Sequence, residues 1–255
     1  MVAVAYAGFA QLGLAGPYKE SIATLLWLPS GIAVGAIMRW GGVSVPAIFV
    51  AALSVELSLG IPFFSSLNIA TSNTLAPLCT VYLLKKFHFN YQLIRQRDIF
   101  ILILAAMLGM LVSSIGGLLS LHFNGLTATQ DMLRIWFIWW IGDTIGVLLA
   151  LPLILNLNKA KFFGNRHQNM QLVLWLLVFA CCEYLIVNLV QDLNKQFMLT
   201  AFLILPVLIW ASMLFGIVGG SIVVISLCIT AVWLTAQGYG TFYSVDVGEG
   251  LFSLS

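Results

Sequence analysis

Charged residues are scarce in this sequence. Asp, Glu, Lys and Arg make up 8% of its 255 residues, where a soluble domain carries about 25%. Hydrophobic residues make up 61%, and the mean hydropathy is +1.04. A soluble globule of this length has too little interior to hide that much apolar surface, so the chain is expected to be integral to a membrane, with the lipid bilayer as its main surroundings. An excess of one sign of charge is also lacking. The 11 basic and 9 acidic residues give a net +2, which leaves no electrostatic footprint for nucleic acid.

The usual carriers of chemistry are thin as well. The four cysteines, Cys79, Cys181, Cys182 and Cys228, sit inside apolar runs. They read as small buried hydrophobes rather than a disulfide or zinc framework. His88, His122 and His167 lie in or beside loops, far apart in sequence, and do not form a metal-ligand constellation. There is no Walker loop, no HExxH and no GxSxG, so neither a catalytic site nor a cofactor is expected. No connection between apolar runs exceeds about 15 residues, too short for a folded soluble domain. The longest are Asn158–Met170, Phe87–Arg97 and Gln237–Gly250. The first lysine is Lys19, after the first apolar stretch. A cleavable signal peptide carries its positive charge before that stretch, so none is expected.

Long apolar runs are what the sequence does contain. A spanning helix needs roughly 20 mostly apolar residues. The candidate runs are Val2–Ala15, which is short, then Ile22–Met38, Val45–Leu59, Asn68–Leu84, Ile99–Leu121, Leu133–Leu157 and Leu172–Val190. Phe197–Phe215 and Ile217–Ala236 read as a hairpin with its turn at about Phe215–Gly220. An apolar pattern restarts at Leu251 and stops at Ser255. Barrel strands of about 9–11 alternating residues do not fit these runs. The expected fold is an all-α polytopic bundle of about nine spans, ten in an intact chain. It is read as a single membrane domain over residues 1–255, cut at its last span and without a soluble output domain.

The basic residues set the expected orientation. Arg39, Lys85, Lys86, Arg95, Arg97, Lys159, Lys161 and Arg166 fall on one side if spans alternate, against Lys19, Arg134 and Lys195 on the other. The larger group marks the cytoplasm, and the N-terminus is then cytoplasmic.

Three acids fall within spans: Glu56, Asp143 and Glu183. A charge at mid-bilayer costs roughly 2.5–3.5 kcal/mol on insertion scales, so such groups face the bundle interior, pair, or take up a proton. Each acid reads either as a ligand or proton site or as a buried post joining helices, and Glu56 is also close enough to its span's end to reach the headgroups. Asp143 has the richest surroundings. Trp139 and Trp140 precede it by four and three positions, on its own helix face. Gly142 and Gly146 form a small-xxx-small pair that admits a neighbouring backbone. The tryptophans also fit an interfacial belt. Trp27-Leu28-Pro29-Ser30-Gly31 opens the second span, with proline suited to a helix start or to an interrupted helix lining a cavity. The fourth span carries Asn68, Thr71, Ser72, Asn73 and Thr74, and Asn73 is expected to bond to another helix. The candidate signal site is therefore Asp143, Trp139, Trp140, Trp27 and Asn73, with Glu56 and Glu183 next in line.

These blocks together resemble a known family. Trp27–Gly31 followed by Ile32-Ala33, Asn73-Thr74-Leu75 with Leu83-Leu84-Lys85-Lys86, and above all Trp139 through Leu148 with Pro152-Leu153 resemble the type-1 membrane-associated sensor domain of bacteria, a MASE family. Leu205-Pro206 through Trp210-Ala211 and the Gly238–Phe242 segment do so too. Leu28 stands where many relatives have a second proline, and Ala76 where many have a glutamate. The resemblance implies an inner-membrane sensory input module rather than an enzyme. It would perceive a small-molecule or partner signal and pass it to a cytoplasmic output, a histidine kinase of a two-component system or a cyclic di-GMP enzyme, and it leaves a homodimer open. From composition alone, a transporter or channel for a small molecule or ion is the competing reading, because intramembrane acids and interrupted spans also mark transporter sites.

Overall fold

The structure is a computed structural model, and it describes residues 1–14, 26–159, 166–192 and 197–236. The described residues form eight α-helices and no strand: α1 Val2–Leu14, α2 Leu28–Trp40, α3 Val45–Ser58, α4 Phe63–Lys86, α5 Gln96–Phe123, α6 Met132–Asn156, α7 Arg166–Asp192 and α8 Phe197–Ala236. Lys19, Lys161, Lys195, the Gln237–Gly250 connection with its Gly238–Phe242 segment, and the restart at Leu251 lie outside the described residues.

Five stretches are long and apolar enough to cross a membrane: Leu28–Ser58, Gln96–Phe123, Thr129–Asn156, Arg166–Asn188 and Ile204–Leu234. This is fewer than the nine expected, for identifiable reasons. The helices α1, α2 and α3 have 13, 13 and 14 residues, about 20 Å each at 1.5 Å per residue, short of a hydrocarbon core of about 30 Å. Only when α2 and α3 are taken together, through the 3-10 turn Gly41–Ser44, is a crossing length reached. The 24-residue α4 is long enough but polar: Ser65, Ser66, Asn68, Thr71, Ser72, Asn73 and Thr74 fill its first half. It begins at Phe63, five positions before the start read from hydropathy, and its first turn carries the buried Ser65 and Ser66. Ser65 accepts through its carbonyl from Ser120 Oγ on α5, and Ser66 Oγ donates to the Ile61 carbonyl.

The chain divides into two compact units, Met1–Leu155 and Asn156–Ser255. In the first, α4 packs on α5, and α1, α2 and α3 gather around α4 and one another. Its core is rich in small residues such as Ala33, Ala51, Ala52, Ala70, Ala105 and Ala106, which let helix axes approach closely. Polarity runs inside out relative to a soluble protein. Ser65, Ser66, Thr80 and Ser114 are fully buried, while Phe100, Leu104 and Leu108 of α5 stand 65%, 58% and 53% exposed. Lipid accepts such a surface and water does not.

In the second unit α7 packs on α8. Trp175 stacks on Phe179 at 5.2 Å and meets the edge of Phe215 at 5.6 Å. The hairpin expected within α8 is present, but its turn is one residue rather than six. Gly216 alone leaves helical geometry, at φ 61 and ψ −144, a region that glycine enters without a Cβ penalty. Gly219 and Gly220 stay helical because the returning arm needs them. A Cβ at Gly219 would strike the Ala211 carbonyl, and one at Gly220 would sit 2.8 Å from Ser212 Oγ.

Candidate functional site: a buried polar cluster around Asp143

The site begins with two helices brought into backbone contact. Glycines at 31 and 35 line one face of α2, and Gly142, Gly146 and Ala150 line the facing side of α6. A Cβ at Gly31 would collide with the Gly146 carbonyl, one at Gly146 with the Trp27 carbonyl, and one at Gly35 with Ile154. The small-xxx-small pair read from the sequence is thus an observed close approach. Pro29 sits in the first turn of α2, with Trp27 at its cap position, so it starts the helix rather than breaking one. The Trp27 N–H, just before the helix, donates to the Gly142 carbonyl at 3.1 Å.

This docking puts Ser30 against Asp143. Asp143 is 1% exposed, and Ser30 Oγ donates to its Oδ1 at 2.6 Å. The Ser113 hydroxyl of α5 and the Trp139 side chain also lie beside the carboxyl. The Ser113 Oγ donates to Asn73 Oδ1 of α4 at 2.7 Å, which joins Asn73 to another helix. Asp143 Oδ2 has no hydrogen-bond donor in position and is buried.

The two tryptophans before Asp143 divide their tasks. Trp139 is nearly buried, beside the carboxyl and over Gly117, where an added Cβ would lie 2.7 Å from Cζ2. Trp140 turns to α5, where its Nε1 donates to the Met107 carbonyl at 2.7 Å, and it stacks on Trp136 at 5.7 Å. Trp139 is thus engaged with the cluster, and Trp140 is partly exposed with its indole N–H tied to α5.

Glu56 is buried at 6% exposure instead of reaching for headgroups. Its carboxyl lies within electrostatic range of Asp143, and Tyr6 of α1 is within range of both acids. Tyr6 is 1% exposed and hydrogen-bonds the Trp27 side chain. Glu183 belongs to the other unit and has partners of its own: Ser226 Oγ donates to Oε1 at 2.8 Å and Thr230 Oγ1 to Oε2 at 2.9 Å. Of the seven residues singled out in the sequence, six lie in the first unit: Asp143, Trp139 and Asn73 share the cluster, Trp27 and Glu56 lie at its edge and Trp140 turns to α5, while Glu183 lies in the second unit. The sequence reading missed Tyr6, Ser30 and Ser113. Ser30 stood inside a block already quoted, and Ser113 lies one helix turn from Gly116 and Gly117; Tyr6 carried no signal.

Among the described residues no group of three or more His, Cys, Asp or Glu side chains comes together. No lysine, arginine or histidine is among their buried side chains. Arg39 of α2, half-exposed, instead donates through Nη1 to the Ile154 carbonyl at 3.1 Å. The cluster therefore offers oxygen ligands and indole rings, with buried acids and no fixed positive charge.

A cluster of this kind, in an all-helical chain with membrane-length apolar helices, defines a membrane protein with a polar interior site. The family model MASE1 matches residues 1–254, and the chain belongs to that family of membrane-associated sensor domains. No curated sequence and no solved structure matches it.

Proposed function

We propose that this chain is the sensory input domain of a bacterial inner-membrane signalling protein, with the Asp143 cluster as its signal site. A ligand or partner signal would act there and pass to a cytoplasmic output module, a histidine kinase or a cyclic di-GMP enzyme. The observation that carries the reading is membership of a sensor-domain family over residues 1–254. The competing transporter reading draws on the same acids but has no comparable support. Catalysis, on this reading, belongs to the output module and not to this chain. A homodimer suits an input that drives paired output modules.

The cluster supports a two-state device. Ser30–Asp143 ties α2 to α6 and Ser113–Asn73 ties α5 to α4. A change of charge at Asp143 would alter the first bond directly and the second through Ser113. A signal shifts such an equilibrium only by its differential affinity for the two arrangements, and a buried carboxyl lacking one donor is a place where that difference can be large. The reading places the N-terminus in the cytoplasm and keeps about nine crossings, with the short α1 crossing by packing on α2 and α3, and these two by packing on α4.

The test is a fusion of the whole chain to a diguanylate cyclase. Asp143→Asn keeps shape and hydrogen bonding but removes the ionisable proton. It should insert and accumulate like the parent and change cyclase output. Parental output from a well-folded Asp143→Asn fusion would remove Asp143 from the signal site.

A further inference from the structure

The Asp143 cluster presents a charge problem. Asp143 and Glu56 are both buried and within electrostatic range of each other. None of the buried side chains among the described residues is basic. Uncompensated carboxylates in a medium of low dielectric are strongly unfavourable, so the positive charge must come from a proton or from a bound cation. Four side-chain oxygens on four helices converge at Asp143. Ser30 Oγ is at 2.6 Å from Oδ1, Ser113 Oγ lies beside the carboxyl, and Asn73 Oδ1 is at 2.7 Å from Ser113 Oγ. The fourth is Asp143 Oδ2, buried and without a donor. A donor would complete a carboxylate oxygen in the usual way, and so would a cation.

Hard oxygen donors select hard cations over the thiolate- and imidazole-seeking metals. Calcium takes 6–8 oxygens, usually several of them carboxylate, and magnesium keeps most of its water. Asp143 is the one carboxylate among these four oxygen donors, so a single positive charge balances the set and a divalent ion would leave charge uncompensated. We propose that Asp143, Ser30, Ser113 and Asn73 form a binding site for one small monovalent metal cation, with sodium as the ion to test. The inference rests on reading this cluster as the signal site and gives that signal a chemical class. On this arrangement the ion neutralises Asp143 and pulls the Ser113 and Asn73 oxygens toward α6. Its arrival tightens the junction of α4, α5 and α6. Glu56 and Tyr6 are the two other titratable groups in range, and a proton on Glu56 completes the charge balance.

The test uses the full chain purified in detergent and equilibrated at pH 8 in choline chloride. Sodium chloride then replaces choline at constant ionic strength while thermal unfolding is followed. At about tenfold excess over the dissociation constant, Tm should rise by about 3–6 °C, and potassium chloride should do much less. Asp143→Asn should abolish the rise, and Ser113→Ala should shift its midpoint to several-fold higher sodium. Equilibrium binding of radioactive sodium to the parent chain, near one ion per chain, provides a second readout should Asp143→Asn fail to fold. A flat response to sodium overturns the proposal. So does a rise that potassium reproduces, or one that survives unchanged in folded Asp143→Asn and Ser113→Ala. Stabilisation by acid alone also overturns it and makes the proton the missing charge. Failure here leaves the sensor reading standing if the Asp143→Asn fusion still changes cyclase output. Sodium binding that leaves the output of the fusion unmoved keeps the ion site and removes it as the signal.

Discussion

The Ser30 hydroxyl donates to Asp143 Oδ1 at 2.6 Å across 113 positions of sequence. The bond follows from the glycines beside it, because Gly31 and Gly146 allow α2 and α6 to touch backbone to backbone. A seryl side chain one position before Gly31 then has the carboxyl directly in reach. Ser30→Ala removes the 2.6 Å bond to Oδ1 while Oδ2 has none of good geometry, and leaves the carboxyl only the Ser113 hydroxyl and the Trp139 indole beside it. Orphaning a buried acceptor costs about 1–3 kcal/mol in soluble proteins, and hydrogen bonds between transmembrane helices average about 0.6 kcal/mol with a maximum near 1.7. A loss of about 1–2 kcal/mol is expected for Ser30→Ala, read by reversible unfolding in mixed micelles. Parental stability would mean that α2 and α6 are held by packing alone.

Glycines in this chain separate sharply by what a methyl group would meet. At Gly146 it would strike the Trp27 carbonyl, which is backbone and cannot rotate away. At Gly8, in the middle of α1, it would meet nothing within 4 Å. Gly8→Ala should therefore be neutral or stabilising by up to about 1 kcal/mol, the helix-propensity difference. Gly146→Ala should part α2 from α6 and cost more than about 2 kcal/mol, as overpacking does. The two melting temperatures measured side by side check this, and equal effects would remove the close approach. Gly117→Ala should fall between them, since the Trp139 ring it meets is a side chain.

The Trp139–Leu148 block could be found because a carboxylate stands out in an apolar run, and its glycines announced a close neighbour. What could not be found was which neighbour. Ser30 in a first helical turn looks like an ordinary polar residue at a helix start, and only the docking of α2 on α6 turns it into a donor for Asp143. Tyr6 is an aromatic residue in an apolar helix like any other until α1 folds against α2 and α3. For Glu56 the sequence left a headgroup-facing and a buried reading open, since a place near a helix end says nothing about which face is buried, and the structure gives the buried one. The division between α2 and α3 was legible, since the apolar runs break where the 3-10 turn Gly41–Ser44 lies; what hydropathy could not give was helix length, because each of these helices is too short to cross the hydrocarbon core alone. Conversely α4 is a long helix that hydropathy undervalues, since its polar first half lowers the average although Ser65, Ser66, Asn73 and Thr74 are buried.

Orientation gives a prediction independent of the site. The connections holding Lys85, Lys86, Arg95 and Arg97, and Lys159, Lys161 and Arg166, should face the cytoplasm by the distribution of basic residues. Alkaline phosphatase fused within either connection should be inactive, and a green fluorescent protein at the same points should fluoresce. Strong phosphatase activity at both would reverse the orientation.

Glu183 offers a contrast to Asp143. Both of its oxygens are occupied, by Ser226 and Thr230 of α8, so it acts as a hydrogen-bonding post between α7 and the second arm of α8. Glu183→Gln keeps one acceptor for those hydroxyls and should leave the output of a cyclase fusion at the parental level. Glu183→Ala leaves both hydroxyls without their acceptor and should lower unfolding stability by about 1 kcal/mol. A large change of output in a stable Glu183→Gln fusion would show a second signalling acid in the second unit.

The bond from Ser113 Oγ to Asn73 Oδ1, 2.7 Å long and buried between α5 and α4, permits the most direct measurement of how the polar cluster is coupled. Asn73→Leu removes the acceptor and Ser113→Ala the donor, and the double variant removes both. If the two interact only with each other, the coupling should be about 0.6 kcal/mol and at most about 1.7. Asp143 complicates that simple outcome, because the Ser113 hydroxyl also lies beside its carboxyl. With Asn73 gone, the hydroxyl proton is released and can turn to Asp143 Oδ2, which otherwise lacks a donor. Asn73→Leu should therefore cost less than Ser113→Ala, because the first repairs one orphan while the second leaves Asn73 and Asp143 both short. Repeating the cycle in an Asp143→Asn background should shrink that asymmetry, since the charged acceptor is no longer there to receive the proton. An asymmetry of the same size in both backgrounds would mean that Ser113 serves Asn73 alone and that the carboxyl is held only by α2.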